Sequence, residues 1–347
     1  MTHHPQLDNA RDVAAHLSDR FASLSNDLVI CVNGSVSEGF ATPSSDYDFL
    51  ILTEQVPETI AKGFHTEIIQ GKRVEYRLIS FATFRADIEK LRSRFRQGGQ
   101  SWVDIDYGHR LMRGMPLVGE ELYRNLVAGS DIEALKEAAI DCAYSTTLGT
   151  FDDLLGATLA FDTPISALFA RRYMQSCMDL LLAARGDTYM REKWRALRSR
   201  KMLGGDSPLH MEYMQRELFT GDSQRDLERD VSATLEFAHK LQLCSLIAMD
   251  LPYAVAAEHD EGHGDMFVIS APAFIVRLKR NFYIRTRQTM HGIDRSMAVV
   301  FLGYHTPIAS NLVKTQMAVQ LGIAPSDVAR MIDVLRALEL IRPFEGR

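Results

Sequence analysis

Few features of this sequence place it in a specialised class of protein. Only four of its 347 residues are cysteines, Cys31, Cys142, Cys177 and Cys244, and they form no CxxC pair. Such isolated cysteines argue against a zinc ribbon and against a disulfide framework. We therefore expect reduced thiols, as is typical of a cytoplasmic protein.

A basic leader and long apolar stretches are also missing. The first residues, MTHHPQLDNARDVAAHL, do not combine a basic start with an apolar run, so no signal peptide is predicted. No stretch approaches the roughly 20 consecutive apolar residues that a helix needs to span a bilayer. These two absences predict a cytoplasmic location without membrane association.

The chain lacks an excess of positive charge. It has 39 Lys and Arg residues against 45 Asp and Glu residues, which gives a formal net charge of −6. No overall field therefore attracts nucleic acid or an anionic membrane, and nucleic-acid binding would need a local basic patch. The 46% hydrophobic and 24% charged residues are typical of a globular protein, and the length predicts two or three domains.

Apolar patterning predicts an α+β N-terminal part. Apolar side chains recur at helical spacing over residues 8–24. Short apolar or alternating runs predict strands at residues 28–33, 47–53, 65–70 and 73–80. Gly71-Lys72, between the last two runs, is typical of a hairpin turn.

After these strands the pattern becomes helical. The clearest helix is predicted over residues 163–186, with Thr163 as N-cap and Pro164 at the first helical position. Another long helix is predicted over residues 222–251, and the polar segment 258–265 is a candidate linker. We predict a mixed-sheet domain, a helical domain and a small winged-helix-like domain over residues 1–125, 126–257 and 266–347.

The C-terminal segment, residues 308–342, predicts a helix, a turn at Gly322 and a second helix. The inner face of the second helix is predicted to consist of Val328, Met331, Ile332, Leu335 and Leu338. Its arginines are balanced by Asp327 and Asp333, so counterion release upon DNA binding would be weak. We favour a packing, acceptor-positioning or dimerisation role over DNA binding, which leaves a homodimer open.

A compact motif lies within residues 29–52. A buried strand ends at Gly34-Ser35, and ten residues separate Ser35 from Asp46, which begins the sequence Asp-Tyr-Asp at the start of a second strand. Side chains two apart on a strand point the same way, so Asp46 and Asp48 converge. Two carboxylates suit a hard cation such as Mg²⁺.

Neighbouring residues complete a candidate site for a metal and a phosphate. Gly34 has no Cβ, which allows a sharp turn and a close approach to phosphate, while the Ser35 hydroxyl adds a hydrogen bond. Glu75 projects from the polar face of the strand at residues 73–80. It is a candidate third carboxylate, either for a second metal ion or as general base for an acceptor hydroxyl.

This arrangement resembles the nucleotidyltransferase superfamily of DNA polymerase β, and within it the minimal and aminoglycoside nucleotidyltransferases. The resemblance covers about a quarter of the chain, residues 8–80. It implies a mixed sheet, a nucleoside triphosphate substrate, two Mg²⁺ ions and in-line attack on the α-phosphorus with pyrophosphate leaving. In one respect the sequence differs, because small members often carry Arg near the position of Glu38.

A second resemblance concerns residues 177–194, which are similar to the helical domain of antibiotic nucleotidyltransferases. It implies that Lys193 neutralises the β- and γ-phosphates. The surrounding segment, residues 191–201, contains six basic residues and one acidic residue.

With the resemblance, these residues imply transfer of a nucleoside monophosphate, and we predict a hydroxyl of a small-molecule acceptor such as an antibiotic as its target. ATP is our choice of nucleotide, since no sequence feature identifies the base. The acidic net charge suits a cationic acceptor of the aminoglycoside type. Two alternatives stay open. The basic runs at residues 85–96 and 191–201 leave transfer to a tRNA end or a protein open, and the C-terminal segment leaves open a non-catalytic, nucleotide-sensing DNA-binding regulator.

Overall fold

The computed structural model describes residues 5–344 apart from residues 26, 59–62, 99, 161, 219–223, 251–264, 271–272 and 279–280. The chain divides into two units, residues 1–138 and residues 139–347. The predicted α+β class is confirmed, with a sheet at the N-terminus, then helices, then small C-terminal sheets. The three predicted domain boundaries stay a prediction, and most of the candidate linker lies outside the described residues.

The first unit combines a five-stranded sheet with helices. Its helices are α1 (Pro5–Phe21), α2 (Gly34–Glu38), α3 (Phe81–Gln97), α4 (Trp102–Met112) and α5 (Glu120–Val127). Its strands are β1 (Val29–Asn33), β2 (Tyr47–Thr53), β3 (Phe64–Ile69), β4 (Lys72–Ser80) and β5 (Met115–Val118). The strands predicted from the four apolar or alternating runs are therefore confirmed.

The strand order β3-β4-β2-β1-β5 makes the sheet mixed, as predicted. Strand β2 runs parallel to β4 and antiparallel to β1. This register places Asp48 opposite Asn33 of β1 and opposite Glu75 of β4. Because β2 has a neighbour on each side, its backbone position is fixed from both directions.

The two faces of the sheet have different roles. One face carries Val32, Phe49 and Tyr76, which pack with Val13 and Leu17 of α1 into a hydrophobic core. Successive side chains of a strand point to opposite faces of the sheet. Because Phe49 and Tyr76 face the core, their neighbours Asp48 and Glu75 face the opposite side.

Helix α6 (Ile132–Leu159) crosses the boundary between the units along the chain, and the second unit continues mostly as helices. These are α7 (Thr163–Ala184), a 3₁₀ turn over Glu192–Trp194, α8 (Arg195–Leu203), α9 (Pro208–Glu217) and α10 (Gln224–Asp250). None of the described helices is both long enough and apolar enough to cross a membrane.

The predicted helix at residues 163–186 is confirmed as α7, but its capping differs from the prediction. The N-cap is Asp162, whose carboxylate accepts a hydrogen bond from the backbone N–H of Ile165 at 3.0 Å. Thr163 is therefore the first helical residue and Pro164 the second. Thr163 and Pro164 are tolerated at these two positions, because the first N–H groups of a helix have no hydrogen-bond partner within the helix.

The C-terminal part of the second unit consists of two three-stranded sheets and three helices among its described residues. Its elements are β6 (Met266–Ile269), β7 (Phe274–Leu278), β8 (Asn281–Arg285), β9 (Met290–Ile293), α11 (Arg295–Leu302), β10 (Ile308–Ala309), α12 (Ser310–Leu321), α13 (Pro325–Ala337) and β11 (Ile341–Pro343). The sheet of β10, β6 and β11 shares a hydrophobic core with the three helices.

The helix-turn-helix expected in this region is confirmed as α12 and α13, with Gly322 at a φ of 64° between them. Val328, Ile332 and Leu335 are buried as predicted. The prediction for Leu338 is wrong, because α13 ends at Ala337 and the Leu338 side chain is 38% exposed.

The basic segment at residues 191–201 contributes two arginines to a buried ion-pair network of the second unit. Arg198 is 1% exposed, and its guanidinium contacts Asp187 at 2.7 Å and Asp179 at 2.8 Å. Arg195 contacts the other oxygen of Asp179 at 2.8 Å. Part of the basic run therefore belongs to the folded core rather than to the surface.

We expect Asp179→Asn to destabilise the protein, because the change removes the charge that the buried Arg198 and the largely buried Arg195 share. Breaking a buried ion pair on one side is costly, and the remaining amide oxygen offsets part of the loss, so about 2 kcal/mol of unfolding free energy is expected. Urea denaturation measures the change. Asp206→Asn, at an exposed position, is the matched control and should leave the midpoint within error. Equal midpoints for the two variants would contradict the role of the network.

Candidate active site

The candidate site is built around β2. Asp48 is the second residue of β2, and Asp46 is the residue just before the strand begins. The two carboxylates therefore lie two residues apart along extended chain. Asp48 is level with Glu75 of the parallel neighbour β4. Since neighbouring strands lie about 4.8 Å apart, these two backbones are adjacent. All three side chains are partly accessible to solvent.

Gly34 lies directly against the Asp48 carboxylate. Its φ of 71° is in the left-handed region, and a Cβ built at this position would lie 2.4 Å from Oδ2 of Asp48. The expected sharp turn is therefore confirmed, although the group that approaches the glycine in this structure is a carboxylate. Ser35 follows in α2, where its carbonyl accepts a hydrogen bond from the N–H of Phe40 at 2.7 Å.

Helix α4 contributes a residue that the sequence reasoning missed. One guanidinium nitrogen of Arg110 lies 3.6 Å from Oδ2 of Asp48, and its Nε lies 3.1 Å from Oδ2 of Asp106. The four-residue spacing of Asp106 and Arg110 signals a pair on one helical face. No local pattern indicates that this face meets Asp48, which is far away in sequence.

Glu38, the residue at which the sequence differs from the pattern it resembles, also contacts α4. The His109 Nε2 and a Glu38 carboxylate oxygen are 3.1 Å apart, and both side chains are largely buried. Adjacent residues of α4, His109 and Arg110, thus contact the α2 segment and the Asp48 carboxylate respectively. The carboxylate at position 38 therefore has a partner on α4.

Cationic side chains also line the strand that carries Glu75. Arg73 forms an ion pair with Glu75. Arg77 donates a hydrogen bond to the Tyr107 hydroxyl at 2.8 Å, and that hydroxyl donates to Asp87. Burial, followed by the hydrogen bond to Asp87, raises the pKa of Tyr107 to about 12. The phenol therefore stays protonated and keeps Arg77 in place at neutral pH.

The carboxylates fit a divalent metal by the chemistry of their donor atoms. Asp46, Asp48 and Glu75 offer only oxygen ligands, which Mg²⁺ prefers. Within the described part of the chain, no three His, Cys, Asp or Glu side chains lie close enough together to form a metal site. Arg110 contacts Asp48 and Arg73 contacts Glu75, so metal binding would require these side chains to rearrange.

Lys193, the remaining candidate, belongs to the second unit. It is an exposed residue of the 3₁₀ turn, and its ammonium group lies 5.4 Å from the centre of the Trp194 ring. Its assignment to triphosphate binding stays a prediction, as do the roles of Gly34, Ser35, Asp46, Asp48 and Glu75.

Comparison with known proteins bears on this site directly. Residues 15–98, from α1 to the end of α3, match the family model described as "Nucleotidyltransferase domain", and the match includes the Gly34-Ser35 turn and all three carboxylates. The chain is also similar to the crystal structure of a nucleotidyltransferase-like protein from Exiguobacterium sibiricum 255-15. That similarity has a TM-score of 0.38 at 12% identity and covers 69% of this chain and 77% of the other. No curated protein sequence matches the chain.

Proposed function

Given that residues 15–98 form a nucleotidyltransferase domain, we propose that this enzyme is Mg²⁺-dependent and moves AMP from ATP to a hydroxyl of a small-molecule acceptor. The observation that supports the proposal most strongly is the position of Asp48. Its carboxylate lies against the left-handed Gly34 turn, and its backbone is level with Glu75. The turn proposed to approach phosphate therefore lies next to a carboxylate proposed to bind a cation.

Each residue of this constellation has a distinct task in the proposed reaction. Asp46 and Asp48 would hold Mg²⁺, which neutralises the triphosphate and polarises the α-phosphoryl group. The Ser35 hydroxyl donates a hydrogen bond to a phosphate oxygen. Glu75 accepts the proton of the acceptor hydroxyl, whose oxygen bonds to the α-phosphorus while the bond from that phosphorus to the pyrophosphate oxygen breaks.

The charge distribution supports a small-molecule acceptor over tRNA. In the basic run of α3, Arg94 contacts Asp104 at 2.7 Å and Arg96 contacts Asp131 at 2.8 Å. In the second basic run, Arg195 and Arg198 form ion pairs with the largely buried Asp179 and Asp187. Cations that are already paired with carboxylates release few counterions when RNA binds, so these four arginines add little to an RNA site.

The C-terminal helices likewise favour an enzyme over a DNA-binding regulator. Arg330 of α13 forms an ion pair with Asp327, and the Arg336 guanidinium stacks 4.1 Å from the centre of the Phe267 ring. These contacts engage the two arginines of the helix that would enter a DNA groove. A role in packing, acceptor positioning or dimerisation remains our proposal for this segment.

Incubation of the protein with each α-³²P-labelled NTP, Mg²⁺ and a host-cell extract tests the proposed function. We expect label from ATP in a product of small-molecule size, together with release of pyrophosphate. The same reaction with γ-labelled ATP should leave the product unlabelled, which separates nucleotidyl from phosphoryl transfer. Label in RNA or in protein would overturn the proposed acceptor, and product labelled from the γ-position would overturn nucleotidyl transfer itself.

A further inference from the structure

Asp48, a metal ligand in the proposed function, has a basic neighbour on α4. We propose that Arg110 is a built-in counter-ion, which holds the Asp48 carboxylate in position before the metal binds and then gives way to the cation. The inference rests on the proposed metal site. It assigns to Arg110 a positioning role, because the side chain acts through Asp48.

The two distances of Arg110 indicate how the exchange takes place. The contact with Asp106 is the shorter, at 3.1 Å, and the contact with Asp48 is the longer, at 3.6 Å. Asp106 lies one helical turn before Arg110 and anchors the guanidinium within α4. The guanidinium can therefore leave Asp48 without losing its closer ionic partner.

The support beneath Arg110 is firm. His109, the preceding residue, is buried and contacts Glu38 of α2 at 3.1 Å. One residue earlier, a Cβ on Gly108 would lie 2.8 Å from the Phe95 ring, so α4 packs closely on α3. The Asp48 carboxylate is thus confined between Arg110 and Gly34, whose missing Cβ leaves room for it. Movement of the Arg110 side chain, rather than of α4, is the available adjustment.

Charge explains why the fold would retain such a residue. Asp48 and Asp106 are two partly buried carboxylates that both contact one guanidinium, and without it they would repel each other. A cation that binds Asp48 must displace part of this interaction. Arg110 therefore keeps the Asp48 carboxylate aligned but lowers the affinity of that carboxylate for a metal ion. The site is preorganised at the expense of metal affinity.

The direct test is a titration of the full chain with Mn²⁺ in the absence of nucleotide, followed by electron paramagnetic resonance. We expect Arg110→Gln to bind Mn²⁺ about five- to tenfold more tightly, because each 1.4 kcal/mol of relieved competition corresponds to a tenfold change in Kd. Arg113→Gln is the matched control, because it removes the same charge from the exposed residue that follows α4. Equal or weaker binding by Arg110→Gln, relative to this control, would overturn the proposal.

Two further variants separate the possible failures. Asp106→Asn removes the anchor, so the guanidinium should pair more closely with Asp48 and weaken Mn²⁺ binding about fivefold; unchanged or tighter binding would count against the exchange even if Arg110→Gln failed to fold. Asp48→Asn should abolish the site. If it leaves Mn²⁺ binding intact, the proposed metal site itself is wrong. If it abolishes binding while Arg110→Gln matches Arg113→Gln, only the counter-ion role fails.

Discussion

Asp48→Asn should lower kcat/KM for nucleotidyl transfer on the order of a thousandfold, the loss expected when a group that stabilises transition-state charge is removed. The amide keeps the size of the side chain but loses the negative charge that a metal ion needs. The fold should persist, because Asp48 is partly exposed and Arg110 retains its contact with Asp106. Release of pyrophosphate from ATP in the presence of acceptor measures the effect.

The matched control for this variant is Asp12→Asn. Asp12 is an exposed residue of α1, so the change alters net charge equally without touching the candidate site. We expect its kcat/KM to equal that of the unaltered protein. Turnover by Asp48→Asn at the level of this control would remove the carboxylate pair from the mechanism.

Gly34→Ala is expected to lower activity about a hundredfold, because a displacement of roughly 1 Å at a reacting centre has an effect of this size. The new methyl group would lie 2.4 Å from Oδ2 of Asp48, closer than non-bonded atoms allow, so the carboxylate or the turn must move. The left-handed φ of 71° adds backbone strain of about 1 kcal/mol. Steady-state kinetics and thermal denaturation together measure the two effects.

Gly39→Ala separates the effect of backbone strain from that of the steric clash with Asp48. Gly39, the residue that follows α2, has a φ of 78°, close to that of Gly34, but a Cβ on it meets no described atom within 4 Å. This variant should show a similar loss of stability, about 1 kcal/mol, with nearly full activity. If the two alanine variants are equally active, the contact between Gly34 and Asp48 has no catalytic importance.

Sequence patterns predicted the parts of the site that depend on local periodicity. The alternation of β4 placed Glu75 on the face opposite Val74 and Tyr76, and the structure has this arrangement. The apolar runs likewise identified β1 and β2 and thereby the strand that carries Asp48. These predictions succeed because a strand that buries one face must repeat every second residue.

Contacts between distant segments could not be predicted in this way. Arg110 and His109 follow Asp48 and Glu38 by many residues, and only the packing of α4 brings them to the motif. The ionic partners of the basic runs were unpredictable for a related reason. Clustering along the chain suggests a charged patch, whereas Arg96 and Arg198 are paired with acidic residues from other elements.

The register between β2 and β4 links the stability of the first unit to its chemistry. A slip of one residue would bring Val74 or Tyr76 level with Asp48 and turn the apolar side chains of β4 away from α1. Misalignment of the acidic residues would therefore also disrupt the apolar packing between the other face of the sheet and α1. Selection for a well-packed interior at Val74 and Tyr76 would, by this geometry, also preserve the spacing of the proposed catalytic residues. Substitutions that disrupt the packing of either residue should therefore impair folding and turnover together.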